Sequence, residues 1–146
     1  MPIKAKIQVD ASPQRVFDVL ADIPTHGSWA NQKAGLAVKP VSDGPTAVGS
    51  MFHSEQKFAG KHAAADIKVT RLEAPTTLAF EAHQPGKKPV TYTSTFTLTP
   101  SGSGTLVERT LDPNPSGLMV TIAAPAIRAD MMKALKNLKA KVEGGS

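Results

Sequence analysis

Ile3, Ala5, Ile7 and Val9 alternate with Lys4, Lys6, Gln8 and Asp10, the two-residue period of a strand with one wet face. The period then changes. Ser12 followed by Pro13 is a helix start, because a serine side chain accepts from the first free amides and proline needs no donor at the first helical position. Val16, Phe17, Leu20 and Ala21 form the inner stripe of that helix. Pro24 and Gly27 end it and leave a turn or second short helix, IPTHGSW, carrying His26 and Trp29. A short strand is expected over residues 36–40, before the turn SDGP at 42–45.

From Val48 to about Leu111 the pattern is that of successive antiparallel hairpins. A two-residue turn at Ala59-Gly60 sets Phe52 opposite Ile67, His53 opposite Asp66 and Ser54 opposite Ala65. A turn over Glu73–Thr76 sets Val69 opposite Phe80, Lys68 opposite Glu81 and Asp66 opposite His83. Both registers match apolar with apolar and charge with opposite or titratable charge, and a slip of one residue would destroy that match. Threonine then occupies every second position from Thr91 to Thr99, with Tyr92, Ser94, Phe96 and Leu98 between them. A four-residue turn from Pro100 to Ser103 leads into TLVERTL and sets Val107 opposite Phe96 and Arg109 opposite Ser94. The prolines and glycine of DPNPSG at 112–117 are expected to exclude regular structure. Beyond them Ile127, Met131, Leu135, Leu138 and Val142 recur at helical spacing, with Pro125 expected to kink the helix or separate a first segment, LMVTIAA.

The chain of 146 residues suits one domain spanning 1–146, large enough to enclose a cavity. It contains no cysteine, which excludes disulfides, a thiol nucleophile and a thiolate zinc site. No apolar run reaches the roughly 18–20 residues of a membrane span, and a cytoplasmic protein without stable membrane insertion is expected. The net charge of +5 comes from scattered basic residues, the densest set being Lys133, Lys136, Lys139 and Lys141 on the polar side of the last helix. That is a solvated face, and no nucleic-acid partner is expected.

The segments VDASPQRVFDVLAD (9–22), AVGSMF (47–52), VTRLEAPTTLAFEA (69–82), FTLTPSGSGTLV (96–107) and RADMMKALKNLKAKVE (128–143) resemble, in content and order, the SRPBCC or START-like superfamily, most closely its polyketide cyclase/dehydrase-like branch. The resemblance implies an α+β helix-grip fold: a curved antiparallel sheet of about six to seven strands wrapped around a long C-terminal helix, with two short helices after the first strand. It also implies a cavity for an apolar small molecule such as a lipid, polyketide or related aromatic compound. Where the family often carries two aromatic residues in the second short helix, this chain has His26 and Gly27 before Trp29.

On such a fold the inward positions expected to line a ligand site are Phe52, Ser54, Phe58, Ile67, Phe80, Tyr92, Ser94 and Phe96 on the strands, Met119, Ile127 and Met131 on the last helix, and Trp29. Buried Ser54, Gln56, Tyr92 and Ser94 each cost roughly 1–3 kcal/mol without a partner, so they imply either a ligand or water-filled cavity or mutual hydrogen bonding in a filled core. In TLVERTL one charge must point inward, and the expected one is Arg109 rather than Glu108. Its guanidinium would hold a carboxylate, phenolate or carbonyl of the ligand, or else pair with an acid near the mouth. The rival to a binding protein is an enzyme in which Arg109 steadies an enolate while Tyr92 or His26 moves a proton. A third reading is an interaction module with a closed core; the expected assembly is a monomer or homodimer. No cofactor and no metal are expected: His53, Asp66 and His83 make a row on the wet face, where a metal lacks a hydrophobic shell. PSGSGT lacks the lysine of a phosphate loop, and no G-x-S-x-G elbow occurs.

Overall fold

The computed structural model describes residues 2–30, 34–58, 61–86, 89–114 and 117–144, without the side chains of Phe58 and Met119. Strand β1 (Ile3–Val9) leads into α1 (Pro13–Ala21) and a 3₁₀ helix (Ile23–Ser28). Strands β2 (Ala37–Pro40), β3 (Met51–Phe58), β4 (Lys61–Glu73), β5 (Thr77–Gln84), β6 (Val90–Ser101) and β7 (Gly104–Asn114) follow, then α2 (Leu118–Gly144). All pair antiparallel in one sheet of order β1-β7-β6-β5-β4-β3-β2. This is the expected architecture, at the upper end of the expected strand number.

The first and second strands lie at opposite edges, so the helical segment between them must cross the whole sheet. Ser12 starts it as expected, its Oγ accepting from the Arg15 amide at 3.3 Å. Val16, Phe17 and Leu20 then bury against a core that includes Val9, Val69, Leu78, Phe96, Val107, Leu135, Leu138 and Val142. The segment ends in the 3₁₀ helix, whose Gly27 lies so close to the chain entering β2 that a Cβ there would sit 2.1 Å from the Leu36 carbonyl oxygen.

The β3/β4 register is the expected one, with Phe52 opposite Ile67 and His53 opposite Asp66; its Ala59-Gly60 turn lies outside the described residues. The β4/β5 register also holds for Lys68 with Glu81 and Val69 with Phe80, but by a different route. The turn is one residue tighter, with Glu73 opposite Thr77, and a bulge between Val69 and Arg71 restores the register. Two expectations need correcting at β7. The β6/β7 turn holds two residues rather than four, since Ser101 pairs with Gly104 around Gly102 at φ 59°, the left-handed conformation tight hairpins use. Every β7 partner therefore shifts by two: Val107 faces Leu98, and Arg109 faces Phe96 instead of Ser94. The strand also runs on through Pro113 to Asn114, although DPNPSG was expected to be irregular. Ile3 opposite Leu111 is the last β1/β7 pair, so Pro113 lies where one side of β7 is an open edge that tolerates a missing donor.

Helix α2 continues through Pro125 without separation into two segments. Met131, Ala134, Leu135, Leu138 and Val142 are buried and Ile127 is half-buried, the expected stripe. Toward its N-terminus the helix leaves the core, with Leu118 74% and Ile122 66% exposed. Among the described residues no helix is long and apolar enough to cross a membrane.

Gly27→Ala is expected to lower unfolding stability by roughly 1–3 kcal/mol, because the obstacle is backbone and cannot swing aside. Gly144→Ala, with open space around its Cβ, should stay within about 0.5 kcal/mol of the parent in the same urea titration.

Candidate functional site

The three-residue spacing of His26 and Trp29 puts both rings on one side of the 3₁₀ turn, 4.8 Å apart between centroids. The crossing segment delivers them beneath the middle of the sheet. There His26 lies 6.0 Å from Phe80 and Trp29 meets Phe96 nearly edge-on at 6.1 Å, while Phe80 and Phe96 lie 6.4 Å apart. Asn137 Nδ2 donates to the Trp29 carbonyl at 3.2 Å and so ties α2 to the same point.

Arg109 enters this cluster from β7. Its guanidinium carbon stands 5.2 Å from the centre of the Phe96 ring, and its Nε donates to Ser94 Oγ at 3.0 Å, a diagonal contact across the β6/β7 pair. Arg109, not Glu108, is thus the charge on the inner face. Burial pulls its pKa down to about 10, so it is still cationic at neutral pH. Among the described residues no carboxylate lies within ion-pair distance of it, and the remaining residues of the sequence include no Asp or Glu.

His26 lies on the second short helix, one of the two expected alternatives. It is buried, and its Nε2 lies 2.7 Å from the Leu20 carbonyl oxygen. A carbonyl only accepts, so Nε2 carries the proton and Nδ1 the lone pair. Loss of solvation lowers its pKa to about 4; the Leu20 bond opposes this, and the positive charges of Arg109 and Lys141 add to it. Trp29, 1% exposed, has the one buried side-chain polar atom without a hydrogen-bond partner among the described residues, its Nε1.

Of the other residues expected to line a pocket, Phe52, Ile67, Phe80, Phe96 and Met131 are core residues, with Ile127 packed against them. Ser54 is buried and donates to the Ala65 carbonyl at 3.2 Å, so it needs no ligand. Phe58 and Met119 lie outside the described side chains. Among the described residues Tyr92 makes no hydrogen bond with Arg109, whose Nε is engaged by Ser94. Tyr92 is half-buried, opposite Pro113, and four residues along β6 from Phe96, roughly 13 Å in an extended strand. The strand pairings of the histidine row are as expected, but the side chains do not converge: His53 Nδ1 is 3.1 Å from Asp66 Oδ1, whereas His83 Nδ1 is 3.1 Å from Thr91 Oγ1. No described group of three acidic or imidazole side chains could hold a metal ion.

Two surface grooves lie away from these residues. One, about 470 Å³, is a groove between α1 and the end of α2 lined by Ser12, Arg15, Asp18, Lys141 and Val142. The other, about 460 Å³, lies on the β2/β3 edge around Gly35, Ala37, Glu55, Gln56 and His62. Burial is graded along the inner face of the sheet. The face is sealed at the Val9, Leu98 and Val107 end, and only half-buried at Gln56, Ala63, Ala82, Gln84, Tyr92 and Leu111, opposite the equally half-buried Val120, Ala124 and Ile127 of α2.

Because the folded His26 titrates near 4 and an unfolded histidine near 6.5, the unfolded chain binds the extra proton first as pH falls. Stability should therefore drop between pH 6.5 and 4, by at most about 1.4 kcal/mol per pH unit from this residue. Urea midpoints across that range should fall less steeply in His26→Gln, and an unchanged slope would show that His26 is not buried neutral. Arg109→Met removes a half-buried charge with no acid partner among the described residues and should raise stability by about 1 kcal/mol at neutral pH, read by the same titration.

Residues 2–143 match the family described as polyketide cyclase / dehydrase and lipid transport. Among solved structures, a protein of Arthrobacter aurescens superposes with a TM-score of 0.76 at 18% identity, over 98% of this chain and 86% of that one. A protein of Chromobacterium violaceum gives 0.73 at 19% identity, with 96% of each chain covered. DynU16, from the dynemicin biosynthetic locus, gives 0.70 at 17% identity over 97% of this chain, which spans 47% of that one. No functionally curated protein matches the sequence. With its sheet, its long closing helix and the match across nearly its whole length, this chain belongs to the polyketide cyclase/dehydrase and lipid transport family of helix-grip proteins.

Proposed function

We propose that the protein binds an apolar small molecule between the sheet and the N-terminal half of α2, with the polar end of the ligand directed at Arg109 and Ser94. The observation that carries this reading is the half-buried inner face. Ala82 and Leu111 on the strands and Val120, Ala124 and Ile127 on the helix pack against the core, and Tyr92 lies on the same strand face, yet all six stay only half-buried. Apolar surface left part-exposed gains roughly 25 cal/mol for each Å² that a ligand covers. The family includes lipid transport, which fits a carrier.

A cyclase or dehydratase would need two groups meeting at one atom. Tyr92 stands apart from Arg109 along the strand, and a histidine with a pKa near 4 is a weak proton acceptor at neutral pH. Binding is therefore the better-supported role.

Trp29 is the sole tryptophan, so its emission reports on this site alone. Titration with an aromatic polyketide, a sterol, a fatty acid and an isoprenoid should change Trp29 emission with at least one class. The same ligand should raise unfolding stability by about 2.7 kcal/mol at a hundred times its Kd. Ala82→Phe, which fills the mouth, should weaken that ligand at least tenfold. If no class alters either readout, the reading is wrong.

A further inference from the structure

The apolar surface does not explain why a guanidinium is held beneath the sheet. Arg109 carries five N–H donors, of which one is used among the described residues, the Nε–H to Ser94. No carboxylate neutralises it, and its only other described partner is the face of Phe96. A half-buried cation without a counter-charge loses hydration that no ion pair returns. Trp29 repeats the pattern at the same ring. Its Nε1–H is buried beside Phe96 and has no acceptor. Two donors with spare capacity thus border one aromatic side chain, and every charge here is positive. Neutral His26 adds no negative charge, and Ser94 is already engaged.

We propose that the ligand of this site is an organic anion, its carboxylate, sulfonate or phenolate oxygens held by the Arg109 Nη groups and Trp29 Nε1, its apolar body lying toward the Tyr92 mouth. The inference rests on the binding reading above and adds the charge of the ligand. An anion supplies what the fold lacks at this point: acceptors for the free donors and a counter-charge, in a planar group that a guanidinium matches two bonds at a time. A neutral lipid or sterol would leave the cation uncompensated.

The test uses two probes of one skeleton, 8-anilino-1-naphthalenesulfonate and its uncharged parent N-phenyl-1-naphthylamine. Each is titrated at 150 mM salt by its own fluorescence and by quenching of Trp29. Both should bind, the sulfonate tighter by about ten- to a hundredfold, the range of a charge-assisted hydrogen bond to a buried partner. Arg109→Met should erase that preference while still binding the uncharged probe, and Arg109→Lys should keep part of it. Trp29→Phe, followed by probe fluorescence, should weaken the sulfonate several-fold more than the parent compound. Equal affinities in the unaltered protein, or a preference that survives Arg109→Met, would overturn the charge assignment and leave apolar binding standing. If neither probe quenches Trp29, the binding reading fails and the anion with it.

Discussion

The architecture depends on β7 being paired on both sides. Its partner β6 precedes it through a two-residue turn, but its other partner, β1, comes from the opposite end of the chain. This long-range ladder places the first strand at one edge and so obliges the segment after it to cross beneath the sheet to reach β2 at the other. The crossing carries Phe17, Leu20, His26 and Trp29 under the central strands. Helix α2 then closes over them, fastened by Arg15, whose guanidinium donates to the Val142 carbonyl, and by Asn137 on the Trp29 carbonyl. Held from both sides, β7 also has its faces settled, and Arg109 has to point inward.

The interior this produces is uneven. Where α1 and the C-terminal half of α2 press on the sheet, Val9, Val107, Leu135 and Leu138 are fully buried, and cooperative stability must come chiefly from there. At the other end the helix carries Leu118 and Ile122 out into solvent, and the strands facing it show half-buried Tyr92 and Ala82. Arg109, His26 and Trp29 stand at the change between the two. They are deep enough for burial to shift two of their pKa values, and all three lie against the aromatic pair Phe80 and Phe96. A cation without an acid partner and a donor without an acceptor set that boundary apart from the sealed end of the core.

Much of this was legible beforehand, for reasons that differ from residue to residue. The hairpin registers followed from matching side chains across strands, and at β4/β5 that matching was a better guide than the turn: the turn is shorter than expected, yet the bulge at Thr70 preserves Val69 opposite Phe80. The inward direction of Arg109 survived a register error because the error was two residues, and strand faces repeat every two. The strand through Pro113 was missed because proline's cost depends on whether a neighbour needs its donor, which no local pattern states. The burial of His26 was hidden for a similar reason: its i, i+3 relation to Trp29 is in the sequence, but the Leu20 carbonyl and the Phe80 ring come from two other elements, α1 and β5.

Alternation, capping residues and helical spacing are set by contacts within a few residues, so the sequence by itself determined the order of elements, the wet and dry faces of each, and the resemblance that followed. The family match and the superpositions bear out the fold. Side-chain partners across the sheet depend on where distant strands end and how far a helix continues to touch them. Only the tertiary structure could decide that Ser54 and Ser94 are satisfied from within, that Tyr92 stands alone at the rim, and that Arg109 and Trp29 keep donors to spare beside Phe96.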